Sequence, residues 1–170
     1  MDGHYLIEEM VLDTYRYKIK TLQQAKDECE RLKASGQKIV FTNGCFDILH
    51  PGHTRYLCAS RELGDHLIVA VNSDRSVKAI KGPERPVFSE QVRAELIAAL
   101  SCVDTVLIFD EDTPLDVIKH LLPGILVKGG DWSEETIIGA DVVKAAGGQV
   151  KPIPYINGFS TTDIINKIRG

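Results

Sequence analysis

Residues 41–53 read FTNGCFDILHPGH and place two histidines, His50 and His53, three apart around a proline and a glycine. An apolar run ends just before this stretch, and a helical pattern starts at its end. Pro51 suits the first position of a helix, because its missing N–H would be unpaired there anyway. His50 then falls at the cap and His53 one turn later on the same face, with no side chain at Gly52 between them. The free N–H groups and positive dipole of a helix N-terminus form an anion site before any side chain is counted. Two imidazole donors add directed hydrogen bonds to phosphate oxygens. The helix end disfavours imidazolium, whereas a bound triphosphate favours it. The pair is therefore expected to be neutral in the free protein, with pKa values that rise on nucleotide binding. The plainer alternative has His50 capping a helix and His53 packed or facing solvent. Zinc fits poorly, because no third ligand is close in sequence.

Other residue types point the same way. Lys78, Lys81 and Arg85 crowd NSDRSVKAIKGPERP, read as a loop. Phosphoryl-type transfer needs positive charge on developing equatorial oxygens, which a flexible lysine supplies as a point charge. In KGGDW, Gly129 and Gly130 permit close backbone approach, so that Asp131 and Trp132 can meet ribose or base; a simple turn is the alternative. GFSTTDI sets Ser160, Thr161 and Thr162 at the start of a final helix, where they act as caps and as a second anion site. Asp47, inside the first motif, is expected to orient an acceptor or help hold Mg²⁺, which takes few protein ligands when phosphates are present. Arg93 lies on a helix, where its bland role is a surface ion pair with Glu90 or Glu95 of little energetic weight.

The elements that must position these groups alternate in type. Apolar runs at 38–43, 66–72, 104–110 and 124–129 are nearly continuous, as expected of strands covered on both faces. A weaker run at 149–154 carries two prolines and is expected at a sheet edge. Helical patterns occupy 21–35, 51–63, 89–101, 114–121, 138–147 and 161–168. This order implies right-handed βαβ units and a doubly wound, Rossmann-like α/β fold: one five-stranded parallel sheet with helices on both faces. Ligands of such sheets sit beyond the carboxyl ends of the strands. Four of the polar, glycine-rich stretches fall there. Residues 1–20 read as an N-terminal extension and 21–170 as a single domain.

With 170 residues and a net charge of −4, the chain argues against nucleic acid or an anionic membrane as main partner, since both select basic surfaces. Four cysteines without a CxxC pair read as reduced thiols of a cytoplasmic protein. No N-terminal apolar stretch resembles a signal peptide, and no segment reaches the length expected of a membrane span.

Residues 42–53 resemble the HxGH signature of the nucleotidylyltransferase superfamily. VNSDRSVKAIKGPERPV, AALSCVDTVLIFDEDTP, ILVKGGDW and FSTTDIINKI together resemble the heptose 1-phosphate adenylyltransferases, over residues 21–170. The resemblance implies transfer of AMP from ATP, carried with Mg²⁺, to a sugar 1-phosphate. It makes His50, His53 and Lys81 catalytic. Thr42, Asn43, Gly44, Cys45, Phe46, Gly52, Arg93, Lys128, Gly129, Asp131, Trp132 and the 160–162 hydroxyls line the nucleotide. Asp47, Lys78 and Arg85 fall to the acceptor, and Arg93 reaches the nucleotide phosphates. A homodimer and a separate upstream sugar kinase are also implied. CTP-dependent transfer to a polyol or amino-alcohol phosphate is the alternative. Such cytidylyltransferases carry RTEG where this chain has YING (155–158), which disfavours it. Pro123-Gly124 replaces the Pro-Asp usual in heptose enzymes, away from the proposed chemistry.

Overall fold

A computed structural model describes residues 14–130, 132–154 and 158–170. Asp131, most of the YING stretch and the first 13 residues of the N-terminal extension lie outside the described residues. Five parallel strands, β1 (Ile39–Gly44), β2 (His66–Asn72), β3 (Thr105–Phe109), β4 (Ile125–Gly129) and β5 (Gln149–Ile153), form one sheet in the order β3-β2-β1-β4-β5. Seven α-helices are found among the described residues: α1 (Leu22–Ala34), α2 (Pro51–Arg61), α3 (Asp74–Lys81), α4 (Glu90–Ala98), α5 (Leu115–Leu121), α6 (Ala140–Ala145) and α7 (Thr161–Arg169). This is the expected doubly wound α/β fold. None of these helices is long and apolar enough to cross a membrane.

Strand periodicity divides the core. Ile39, Phe41, Ile68, Ala70 and Leu126 point to one side, against Ala25, Cys29 and Leu32 of α1, Ile118 and Leu121 of α5 and Val143 of α6. Val40, Leu67, Val69, Val71, Ile125 and Val127 point to the other, against Leu57 of α2 and Ala94, Ile97 and Ala98 of α4. Both faces are dry, which explains the near-continuous apolar runs. Each fully buried aliphatic side chain contributes roughly 1.5–3 kcal/mol. β5, with Pro152, lies at one edge as its prolines require.

The sequence reading needs one correction here. NSDRSVKAIKGPERP is not all loop, because its first half is α3. Ser73 caps it by accepting the Ser76 N–H, Asp74 lies in the first turn, and Lys78 and Lys81 lie in the last. Only 8 residues long, α3 shows too few turns for a visible period. The Ser-Asp start and Gly82 stop were its legible signals.

Strand order reverses between β1 and β4. A crevice is therefore expected beyond their carboxyl ends, where Lys128 of β4 donates to Asn43 of β1.

Candidate active site

The chain leaves β1 through a strained turn. Phe46 and Ile48 both have left-handed backbone, at φ 47° and 52°, a conformation that costs about 1–3 kcal/mol for a non-glycine residue. Asp47 between them holds the turn. Its buried carboxylate accepts hydrogen bonds from the Arg85 Nε (2.7 Å), the Val87 N–H (2.8 Å) and the Phe88 N–H (3.1 Å). Burial alone would raise the pKa of this carboxyl. The two backbone N–H groups and Arg85 outweigh that and hold it below its ordinary value. Asp47 was expected near acceptor or metal; its oxygens instead pin the α3–α4 connection onto the motif. Arg85, expected at the acceptor, spends its Nε on that bond.

Pro51 occupies the first helical position of α2, and His50 is its extended N-cap, with no side-chain cap bond. The His50 carbonyl accepts the His53 N–H at 2.8 Å. The imidazoles stack at 3.8 Å between centroids and 19° between planes. Phe46 meets His53 edge-on at 5.4 Å, and Phe159 lies over His50 at 6.3 Å. Gly52 permits this packing, since a Cβ there would fall 2.9 Å from the His50 ring and 3.1 Å from Phe159 Cβ. Both Nδ1 atoms are buried without a hydrogen-bond partner. Burial lowers the pKa of His50. Burial, then the neighbouring His50, lowers that of His53 to about 4 against the pull of Asp47. Both shifts favour neutral imidazoles in the free protein, and burial rather than the helix end is the leading cause.

Cations ring the glycine-rich turn. Cys45 feels Lys81, Arg93, Lys128 and Arg85, although burial dominates and raises its thiol pKa. Lys128 donates to Asn43 Oδ1 at 3.1 Å across the β1–β4 gap. Burial lowers the Lys128 pKa, and Lys81 adds to the fall against an opposing effect of Cys45. Lys81 and Lys78 are exposed at the end of α3.

Arg93 departs from expectation. It is wholly buried and donates to the carbonyls of Phe88 (3.0 Å), Cys45 (2.6 Å) and Asn72 (2.7 Å), and to Asp74 Oδ1 (2.8 Å). With these four bonds made, it braces α4, the ends of β1 and β2 and the start of α3. Neither surface partner, Glu90 or Glu95, is its ion pair.

At the far wall, Ser160 caps α7 by accepting the Asp163 N–H at 3.3 Å. The Thr161 hydroxyl donates to the Asp47 carbonyl at 2.9 Å, so the hydroxyl motif is tied to the histidine motif; Thr162 is exposed beside it. Exposed Trp132 donates its Nε1–H to the Gly129 carbonyl at 3.2 Å. Gly129 makes room for the Tyr56 ring, as a Cβ there would lie 3.2 Å from it. Sequence reasoning missed Tyr56. Its hydroxyl shares a 2.6 Å hydrogen bond with buried Thr42, so it registers α2 against β1 and β4. Phe159 and Arg55, which stacks on Phe159 at 5.5 Å, were also missed; nothing in their spacing marks them.

The fold and this basic crevice are those of a nucleotide-handling α/β domain, and the chain belongs to the cytidylyltransferase-like family, whose model matches residues 41–167. It is 51% identical over 154 residues to the bifunctional protein HldE of Syntrophotalea carbinolica, covering 91% of this chain and 31% of that protein. It is 56% identical to HldE of Hyphomonas neptunium over 138 residues, covering 81% and 28%. The chain thus spans about a third of the length of these curated relatives. Among solved structures, a lipopolysaccharide core biosynthesis protein from Thermoplasma volcanium superimposes with a TM-score of 0.57 at 32% identity, covering 71% of this chain and 98% of that one. Pantoate-beta-alanine ligase from Francisella tularensis shares the fold alone, with a TM-score of 0.55 at 17% identity over 88% of this chain and 77% of that one.

Proposed function

We propose that this domain transfers AMP from ATP to a sugar 1-phosphate, D-glycero-D-manno-heptose 1-phosphate, releasing pyrophosphate and forming an ADP-sugar for surface polysaccharide. The observation that carries this reading is the stacked imidazole pair at the N-terminus of α2, beside the reversal of strand order. Similarity to HldE proteins and to a lipopolysaccharide core biosynthesis protein supports the acceptor class.

An acceptor phosphate oxygen attacks the α-phosphorus in line, and the bond to the pyrophosphate oxygen breaks. The acceptor is already an anionic nucleophile, so no covalent protein intermediate is needed. Catalysis is then positioning and charge stabilisation. His50 and His53 donate to α-phosphate oxygens, and Lys81 neutralises the developing charge from the end of α3. Lys128, held at the crevice by Asn43, adds a second cation. Thr42 to Phe46, Gly52, Gly129, Asp131 and Trp132 form the nucleotide's surroundings. Ser160, Thr161 and Thr162, with the N–H groups of α7, hold the leaving pyrophosphate. Lys78 and Arg85 face the acceptor, and Asp47 and Arg93 act by bracing the loops.

Among the described residues, no group of three or more His, Cys, Asp or Glu is placed to hold a metal, and the Asp47 carboxylate is already engaged. These residues fit Mg²⁺ held by the nucleotide phosphates and waters; bound there, it would offset phosphate charge. The reading also includes a homodimer working in the cytoplasm, supplied by a sugar-phosphorylating activity. Pyrophosphate release, measured with ATP or CTP and with heptose 1-phosphate or glycerol 3-phosphate, tests the proposal. Turnover is expected with ATP and the heptose phosphate; turnover with CTP and glycerol 3-phosphate alone would replace it by the cytidylyltransferase reading.

A further inference from the structure

The four cysteines are scattered in sequence, yet the fold brings two of them together. Cys58 is exposed on α2, and Cys102 is half-buried in the turn between α4 and β3. The same two segments are joined one turn further along α2, where Arg61 Nε lies 2.8 Å from Asp104 Oδ2. Residues three apart share a helix face, so α2 presents Cys58 and Arg61 together to the segment holding Cys102 and Asp104. That segment is fixed from outside by Lys18, whose Nζ donates to the carbonyls of Leu100 at 3.2 Å and Val103 at 2.8 Å. Of the side chains around the Cys102 thiol, Cys58 is the one that acts on it most strongly.

We propose that Cys58 and Cys102 form a modification site, a dithiol that a small-molecule disulfide oxidises reversibly to a Cys58–Cys102 bridge. The exposed Cys58 thiolate attacks one sulfur of RSSR, giving Cys58–S–SR and RS⁻, which takes up the proton Cys58 lost. The Cys102 thiolate then attacks the Cys58 sulfur, closing the protein S–S bond and expelling a second RS⁻, which takes the Cys102 proton. The protein gives up two electrons and two protons, and one RSSR becomes two RSH. Exchange proceeds through thiolates. Burial and the adjacent Cys58 push the Cys102 thiol up to about 12, which leaves Cys58 as the entry point. Once Cys58 is a mixed disulfide, its charge no longer opposes ionisation of Cys102. The bridge would staple α2, whose N-terminal end carries both histidines, to the α4–β3 turn on the same face of the sheet.

The test incubates the full chain in glutathione buffers of rising oxidised-to-reduced ratio, then alkylates, digests and maps peptides by mass spectrometry. A cross-linked peptide containing Cys58 and Cys102, lost again on reduction, is the expected result. Cys102→Ser should halt Cys58 as the glutathione mixed disulfide, and Cys58→Ser should leave Cys102 unmodified. The wild-type map decides the matter even where a variant folds poorly. Full alkylation of both thiols in oxidised buffer, or Cys58 stalled as a mixed disulfide beside free Cys102, overturns the proposal.

Discussion

Partial burial favours neutral imidazoles, and Phe46 and Phe159 pack against the two rings, with Gly52 leaving them room. Replacing His53 by Ala removes a donor needed as charge develops. Turnover should fall by about 10²–10³-fold, with a much smaller change in the apparent KM for ATP; steady-state pyrophosphate release checks the split. Gly52→Ala keeps both histidines but drives a methyl into the His50 ring. Its expected phenotype is a similar loss of turnover with the circular-dichroism spectrum retained. The histidines were legible in the sequence because proline and glycine at a strand-helix junction have few other uses. Phe159 and Tyr56 were not. Phe159 meets His50 across more than a hundred residues of sequence and Tyr56 meets Thr42 across a strand-to-helix turn, contacts that no helix or strand period records.

At the scale of elements, the brace at Arg93 joins pieces that the strand and helix periods place only separately. Four of the five guanidinium N–H donors are spent on Phe88, Cys45, Asn72 and Asp74. Arg93→Met would leave buried carbonyls and a carboxylate without their partner. The expected destabilisation is about 3 kcal/mol or more, read as a lower urea midpoint. Strand positions followed from apolar runs because both faces of the sheet are dry, and β5 was placed at an edge by its prolines. α3 escaped because it is short and polar on most sides. The role of Arg93 escaped because an arginine on a helix reads as exposed unless its acceptors, scattered over four segments, are known.

At the scale of the whole molecule, residues 14–20 pack against β3, the edge strand opposite β5. Ile19 bridges Val106 of β3 in parallel, the Lys20 N–H donates to the Val106 carbonyl, and Arg16 pairs with Glu95 of α4 at 3.1 Å. The part of the extension described is thus packed onto the domain and covers a strand edge that would otherwise be open to pairing. Stability should depend on acid through the buried imidazoles. His53 titrates at about 4 in the folded protein and near 6.5 when unfolded, so between those values the unfolded chain binds the extra proton. Stability is therefore complete above about pH 6.5 and is lost as pH falls toward 4. His50 and His66, both lowered by burial, act in the same direction. Urea midpoints across this range should show the loss, with a shallower slope in His53→Gln.

The account turns on a preformed site in which a polyphosphate meets the stacked imidazoles. Nitrogen-15 NMR of both rings, titrated with acid in the presence and absence of a non-hydrolysable ATP analogue, tests this most directly. Neutral rings without nucleotide at pH 7, and pKa values raised in both rings with it, are predicted. Imidazole pKa values and shifts that are the same with and without saturating analogue would contradict it.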